Sequence, residues 1–126
     1  MRILIDTQIL IWLLNGDLQL SLDRREKLVD PANRVFISIA SFWEIAIKSS
    51  RGKLSLAKSI EDIFSEIDNS SSTILSIAPE HTLQVSRLPF HHKDPFDRML
   101  IAQAIVENIP LMSPDHDFAD YEVELL

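Results

Sequence analysis

The sequence predicts an α/β fold: a three-layer αβα sandwich around a central, mostly parallel sheet. Three observations carry this. The chain opens on a short apolar run, Ile3-Leu4-Ile5, cut off by Asp6, and a helical apolar pattern at Ile9, Leu10 and Leu13 follows. Further short apolar runs alternate with helical patterns from end to end, the order that builds a parallel sheet with helices on both faces. Late in the chain a helix is apolar nearly all round, so it should be covered on both sides.

Taken in order, residues 2–5 form the first strand and residues 7–14 the first helix, stopped by Asn15-Gly16. A short charged helix spans 21–29, with Ser21 as its cap and Asp30-Pro31 closing it. Residues 35–38 are the second strand. The third helix, 41–51, is apolar at Phe42, Trp43, Ile45, Ala46 and Ile47 and ends at Gly52. After a connector at 53–58, helix 60–68 places Ile60, Ile63, Phe64 and Ile67 on one stripe. A polar turn at 70–73 precedes the third strand, 74–77. Pro79 suits the first position of a helix that runs to about Leu88. A loop with two prolines, two histidines and two acids leads into the apolar helix beginning at Pro95, which Asn108 and Pro110 end. Residues 111–113 are a short strand and 115–118 a turn. Tyr121, Val123 and Leu125 alternate like an edge strand.

One domain over residues 1–126 is expected, long enough for a real core. The apolar fraction of 46% and charged fraction of 25% are those of an ordinary globular protein. No apolar run is long enough to cross a bilayer, and the stretch after Arg2 is too short for a signal peptide, so the expected compartment is the cytoplasm. Cysteine is absent, which excludes disulfides, thiolate zinc sites and a cysteine nucleophile. With only Gly16 and Gly52, no glycine-rich loop exists to cradle nucleotide phosphates. The net charge of -7 argues against a nucleic-acid partner unless acids converge on a divalent cation, which reverses the local sign.

Four acids fall just past strand ends or in the first turns of the following helices: Asp6, Glu44, Asp97 and Asp115. Each has a structural reading. Asp6 suits a helix cap. Ser41-Phe42-Trp43-Glu44 fits a capping box. Asp94 suits a cap, with Pro95 in the first turn and Asp97 on the favourable end of the helix dipole, and Asp115 suits the cap of a short turn. Jointly they point further. In a parallel α/β sheet all strand-to-helix turns lie along one edge, where ligands bind. Carboxylates gathered there repel and raise one another's pKa values. A hard divalent cation relieves this, and oxygen-only ligands select Mg²⁺ or Mn²⁺, able to activate water for phosphodiester cleavage. Capping and metal binding are compatible, because a carboxylate has two oxygens.

On the third helix Glu44, Lys48 and Arg51 share one face. That face is either an exposed ion-pair stripe or a set of cations that hold substrate phosphates beside the metal; Arg98 is a second candidate for that task. Adjacent His91 and His92 point apart in an extended loop, so a shared zinc ion is not expected. Thr7 and Ser113 carry hydroxyls suited to orienting acids or water, or to satisfying turns. Trp12 and Trp43 belong to apolar stripes and read as core or interface.

Four blocks then carry a resemblance: Ile3-Leu4-Ile5-Asp6-Thr7; Ser41-Phe42-Trp43-Glu44-Ile45-Ala46-Ile47-Lys48; Asp94-Pro95-Phe96-Asp97-Arg98-Met99-Leu100-Ile101-Ala102-Gln103-Ala104; and Leu111-Met112-Ser113-Pro114-Asp115-His116-Asp117-Phe118. In this order and spacing the chain resembles the PIN-domain ribonucleases, and more narrowly the VapC-like toxins of type II toxin–antitoxin systems. The resemblance implies a PIN-like, Rossmann-like fold and a Mg²⁺- or Mn²⁺-dependent endoribonuclease that cleaves RNA with water and no covalent intermediate. By position it implies Asp6, Glu44, Asp97 and Asp115 as the catalytic, metal-holding quartet, with Glu44 orienting water and Asp117 an alternative to Asp115. Asp94, typical of the subgroup, is expected to cap, and Ser113 stands where the family often has threonine. A homodimer and a small antitoxin that blocks the site are further implications. The apolar helix 95–107 and Trp12 agree with buried partner surface. A PIN-type RNA-processing nuclease outside a toxin–antitoxin pair and a catalytically silent binding module are the alternatives. A haloacid-dehalogenase-type phosphatase needs a second Asp where Gln8 stands. A response-regulator receiver needs a late lysine where Ser113-Pro114-Asp115 follows the last strong strand.

Overall fold

The computed structural model describes residues 1–54 and 56–126. The elements are β1 (Arg2–Ile5), α1 (Thr7–Asn15), α2 (Leu22–Val29), β2 (Arg34–Ser38), α3 (Ile39–Ser50), α4 (Ile60–Asp68), β3 (Thr73–Leu75), α5 (Pro79–Arg87), α6 (Pro95–Glu107) and β4 (Leu111–Met112), followed by a 3-10 turn, His116–Asp120. The strands form one parallel sheet in the order β3-β2-β1-β4. The α/β class and the helix-covered parallel sheet are therefore as the sequence predicts.

The alternation of side chains along β1 explains why its apolar run is unbroken. Ile3 and Ile5 point into one core with Ile9, Leu10, Val35, Ile37, Ile45, Ile63 and Ile67. Leu4, between them, points into the opposite core with Leu100, Ile101, Leu111 and Phe118. A strand covered on both faces needs an apolar residue at every position. Ile3, Leu4 and Ile5 are fully buried, and each contributes on the order of 2 kcal/mol by leaving water. Helices α1, α3 and α4 line the first core, and α5 and α6 the second. This central strand fixes where Asp6 emerges.

Local signals set the helix ends. Ser21 accepts from the Arg24 amide and Ser59 from the Asp62 amide, each an N-cap. Gly16 stops α1 at a φ of 62°, which a side chain would strain. Helix α3 begins at Ile39 rather than 41, because the Ser38 hydroxyl accepts from the Ala40 amide. The expected capping box from Ser41 to Glu44 therefore does not form, and both residues lie inside the helix. Strand β3 ends at Leu75, short of 77; the Ser76 carbonyl accepts from Gln103 Nε2 on α6 at 3.3 Å. Leu125 makes only an isolated parallel bridge to Leu111, so the expected edge strand at 121–125 is not a strand. Its alternation has another cause, since Tyr121 is buried and its hydroxyl accepts from the His92 amide. Helix α6 is buried along Leu100 to Ala104 as its composition requires. Trp12 packs half-buried on the first core. Trp43 is 58% exposed, edge-on to Phe96. Among the described residues, no helix is long and apolar enough to cross a membrane.

Candidate functional site

Asp6 leaves β1 in an extended conformation and caps α1, its Oδ1 accepting from the Ile9 amide at 2.8 Å. Its Oδ2 accepts from the Ser113 hydroxyl at 2.6 Å, so the ends of the adjacent strands β1 and β4 are tied through the carboxylate. The Ser113 Oγ in turn accepts from the Asp115 amide at 3.0 Å. Burial pushes the Asp6 carboxyl up to about 6, against the two hydrogen bonds, and the nearby charges of Glu44 and Asp115 add to the rise.

Glu44 comes from α3 and is 5% exposed. Its Oε2 takes an ion pair from Lys48 Nζ, one helical turn on, at 2.6 Å. Its Oε1 is buried with no hydrogen-bond partner among the described residues. Lys48 is held protonated above its usual pKa chiefly by that hydrogen bond, with help from the charges of Asp94 and Asp97. Freed of any capping duty, Ser41 accepts from the buried Thr7 hydroxyl at 3.0 Å and locks α1 against α3 beneath the acids.

Asp97 stands in the first turn of α6. Asp94 does the capping there, its Oδ1 accepting from the Phe96 and Asp97 amides. Asp97 is thereby left to face the other acids. Burial pushes it up to about 7; Asp94 adds to the rise, His92 opposes it, and Glu44 and Asp6 add further. Asp115 caps the 3-10 turn through Oδ1, which accepts from the Asp117 amide.

These side chains line one cavity of about 310 Å³, where Asp6, Glu44, Asp97 and Asp115 meet with Asp94 and Lys48 on its wall. Four acids 109 positions apart at the extremes of the chain thus share one space at the strand ends, as parallel topology requires. Asp117 is exposed and does not line it. Neither does Arg51, which is exposed at the C-cap of α3.

Arg98 is elsewhere, and its expected role in substrate binding is not supported. It is buried, and its guanidinium donates to the carbonyls of Val85 and Pro89 at 3.1 and 3.0 Å and stacks 4.2 Å from the Phe90 ring centroid. One helical step after Asp97 rotates the side chain by about 100°, away from the cavity, where its five-donor fork satisfies the carbonyls of Val85 and Pro89.

His92, judged in the sequence only as a zinc ligand, belongs to the site. Its Nε2 lies 3.2 Å from Asp97 Oδ2 and 3.2 Å from Asp115 Oδ2. Its Nδ1 accepts from the Asp94 amide at 3.1 Å. No local periodicity marks it; the one signal was its position two residues before a capping aspartate. With Asp115 and Asp117 it also offers ligand atoms within 4.8 Å of one another.

The donor set is all oxygen around the cavity, with an unpaired buried carboxylate oxygen and two carboxyls held above their ordinary pKa by burial and mutual repulsion. Such a site fits a hard divalent cation, which would use the unpaired oxygen and relieve the repulsion.

Comparison with known proteins agrees with this architecture. VapBC2 from Rickettsia felis, solved bound to a promoter DNA fragment, superposes with a TM-score of 0.75 at 20% identity, covering 100% of this chain and 98% of that one. VapBC-1 from nontypeable Haemophilus influenzae gives 0.68 at 19% identity, covering 100% and 97%. DNA-bound VapBC from Salmonella typhimurium gives 0.72 at 13% identity, covering 100% and 97%. At these identities the likeness is one of fold. No curated protein sequence matches the chain significantly. The PIN domain family model matches residues 3–124, nearly the whole chain, and the chain therefore belongs to the PIN domain family.

Proposed function

We propose that this chain is a Mg²⁺- or Mn²⁺-dependent endoribonuclease and the toxin of a type II toxin–antitoxin module. The observation that carries the reading is the buried, unpartnered Glu44 Oε1 in a cavity shared with Asp6, Asp97 and Asp115. Asp6, Glu44, Asp97 and Asp115 would hold the ion. When bound, the ion lowers the pKa of water and offsets the charge that builds on a phosphodiester in cleavage. Glu44 would hold the ion through its free oxygen, and its carboxylate helps to orient the attacking water. Lys48, with its ammonium at the cavity wall, holds the non-bridging oxygens of the scissile phosphate. Arg51, exposed one turn further along α3, contacts flanking phosphate. RNA approaches an acidic protein here because the ion and Lys48 offset most of the carboxylate charge at the cavity.

The fold is shared with chains of VapBC complexes, so a small antitoxin is the expected partner, with a homodimeric toxin acting in the cytoplasm as one PIN domain over residues 1–126. The test is RNA cleavage by the purified chain with Mg²⁺ or Mn²⁺, repeated with EDTA and with Asp6→Asn. Cleavage that requires both the ion and Asp6 supports the reading. A chain that neither binds Mn²⁺ nor cuts RNA would instead be a silent PIN-like module.

A further inference from the structure

His92 joins two of the four acids, and its ring has a fixed sense. The Asp94 amide donates to Nδ1 at 3.1 Å, so Nδ1 must carry the lone pair. In the neutral ring the proton therefore sits on Nε2. That N–H faces Asp97 Oδ2 and Asp115 Oδ2, both 3.2 Å away. Direct ligation through Nε2 would move the proton to Nδ1, against the Asp94 N–H. The grouping of His92 with Asp115 and Asp117 is thus not a metal site of its own.

The ring is also held rigidly. The His92 amide donates to the Tyr121 hydroxyl at 2.8 Å, and the ring meets Phe118 edge-on with centroids 5.6 Å apart. Arg98 fixes the preceding turn through the Pro89 carbonyl. Asp94 thereby serves twice: its carboxylate caps α6 and its amide sets the tautomer of His92.

We propose that His92 is a positioning residue, a forked hydrogen-bond donor that holds the Asp97 and Asp115 carboxylates together at the wall of the metal cavity. This rests on the metal reading above. Two carboxylates left alone at this spacing repel, and a shared N–H donor between them offsets part of that repulsion. Outer partners of this kind typically change metal affinity by about 10- to 100-fold.

The experiment is a calorimetric Mn²⁺ titration of wild type, His92→Phe and His92→Gln, with thermal melts as a check of folding. Phenylalanine keeps the ring packing and loses the donor, whereas glutamine carries an amide N–H about as far out as Nε2 and so keeps a donor for the acids. His92→Phe should bind Mn²⁺ about 10- to 100-fold more weakly, and His92→Gln should recover most of the loss. Pulsed electron paramagnetic resonance of the Mn²⁺-loaded wild type, which depends on no variant, should show no directly coordinated nitrogen. Wild-type affinity in His92→Phe, an equal loss in both variants, or a coordinated ¹⁴N would each overturn the proposal. Absence of Mn²⁺ binding by the wild type would overturn the metal reading itself, and the role of His92 with it.

Discussion

Ser113 Oγ donates to Asp6 Oδ2 at 2.6 Å, joining residues 107 positions apart at the ends of two adjacent parallel strands. The same oxygen accepts from the Asp115 amide, so one hydroxyl sets the positions of two of the four acids. Ser113→Ala leaves that amide without its acceptor and removes a donor from Asp6. The fold should lose on the order of 1–2 kcal/mol and Mn²⁺ affinity about tenfold. Thermal melts and a Mn²⁺ titration check both; a variant with wild-type affinity would mean that the hydroxyl only satisfies the turn.

Asp97 has its carboxyl raised to about 7 and Asp6 to about 6, both above the 3.8 of an unhindered carboxylate. Between those values the folded chain binds more protons than the unfolded one, so stability from these groups falls as pH rises. The metal-free protein should therefore melt at a lower temperature at pH 8 than at pH 5, and saturating Mn²⁺ should reverse the slope. Melting curves in EDTA and in Mn²⁺ across this range check it.

Asp97→Asn removes one of the repelling charges. The metal-free variant should be more stable at pH 8, on the order of 1–2 kcal/mol, with a flatter pH profile, and should not cleave RNA. Chemical denaturation and a cleavage assay on the same preparation read the two effects. Retained cleavage, free of contaminating nuclease, would remove Asp97 from the machinery.

Lys48 and Arg98 should separate cleanly. Lys48→Ala should weaken RNA binding and reduce the salt slope by about one. Arg98→Lys should leave the salt slope unchanged and destabilise the fold by about 2–4 kcal/mol, because an ammonium cannot satisfy the carbonyls that the guanidinium fork reaches. Binding isotherms at several salt concentrations, with urea melts, distinguish the two.

Much of this was legible in the sequence. The doubly apolar β1, the alternation of strands and helices, and acids at successive strand ends all follow from period and order alone. What was not legible depended on which residue wins a local contest. Ser38 outcompeted Ser41 as the cap of α3, which freed Glu44 to face the cavity with an unpaired oxygen. Asp94 took the capping role on α6 and left Asp97 to the site. Arg98 sits beside Asp97 in sequence, yet a turn of about 100° takes it out of the cavity, and adjacency alone misled. His92 carries no periodic signal, since it sits in a loop, and its partners beyond α6 lie more than twenty positions on, in and beside the 3-10 turn. Tyr121 alternated like a strand residue because its hydroxyl supports that same loop.

Asp6, Glu44, Asp97 and Asp115 are proposed to share one divalent ion. An anomalous difference map from crystals soaked in Mn²⁺ tests it most directly. A peak should appear inside the cavity, roughly 2.0–2.3 Å from carboxylate oxygens of Asp6 and Asp97, and should be lost in Asp6→Asn. An empty cavity at saturating Mn²⁺, with the carboxylates unmoved, would contradict it.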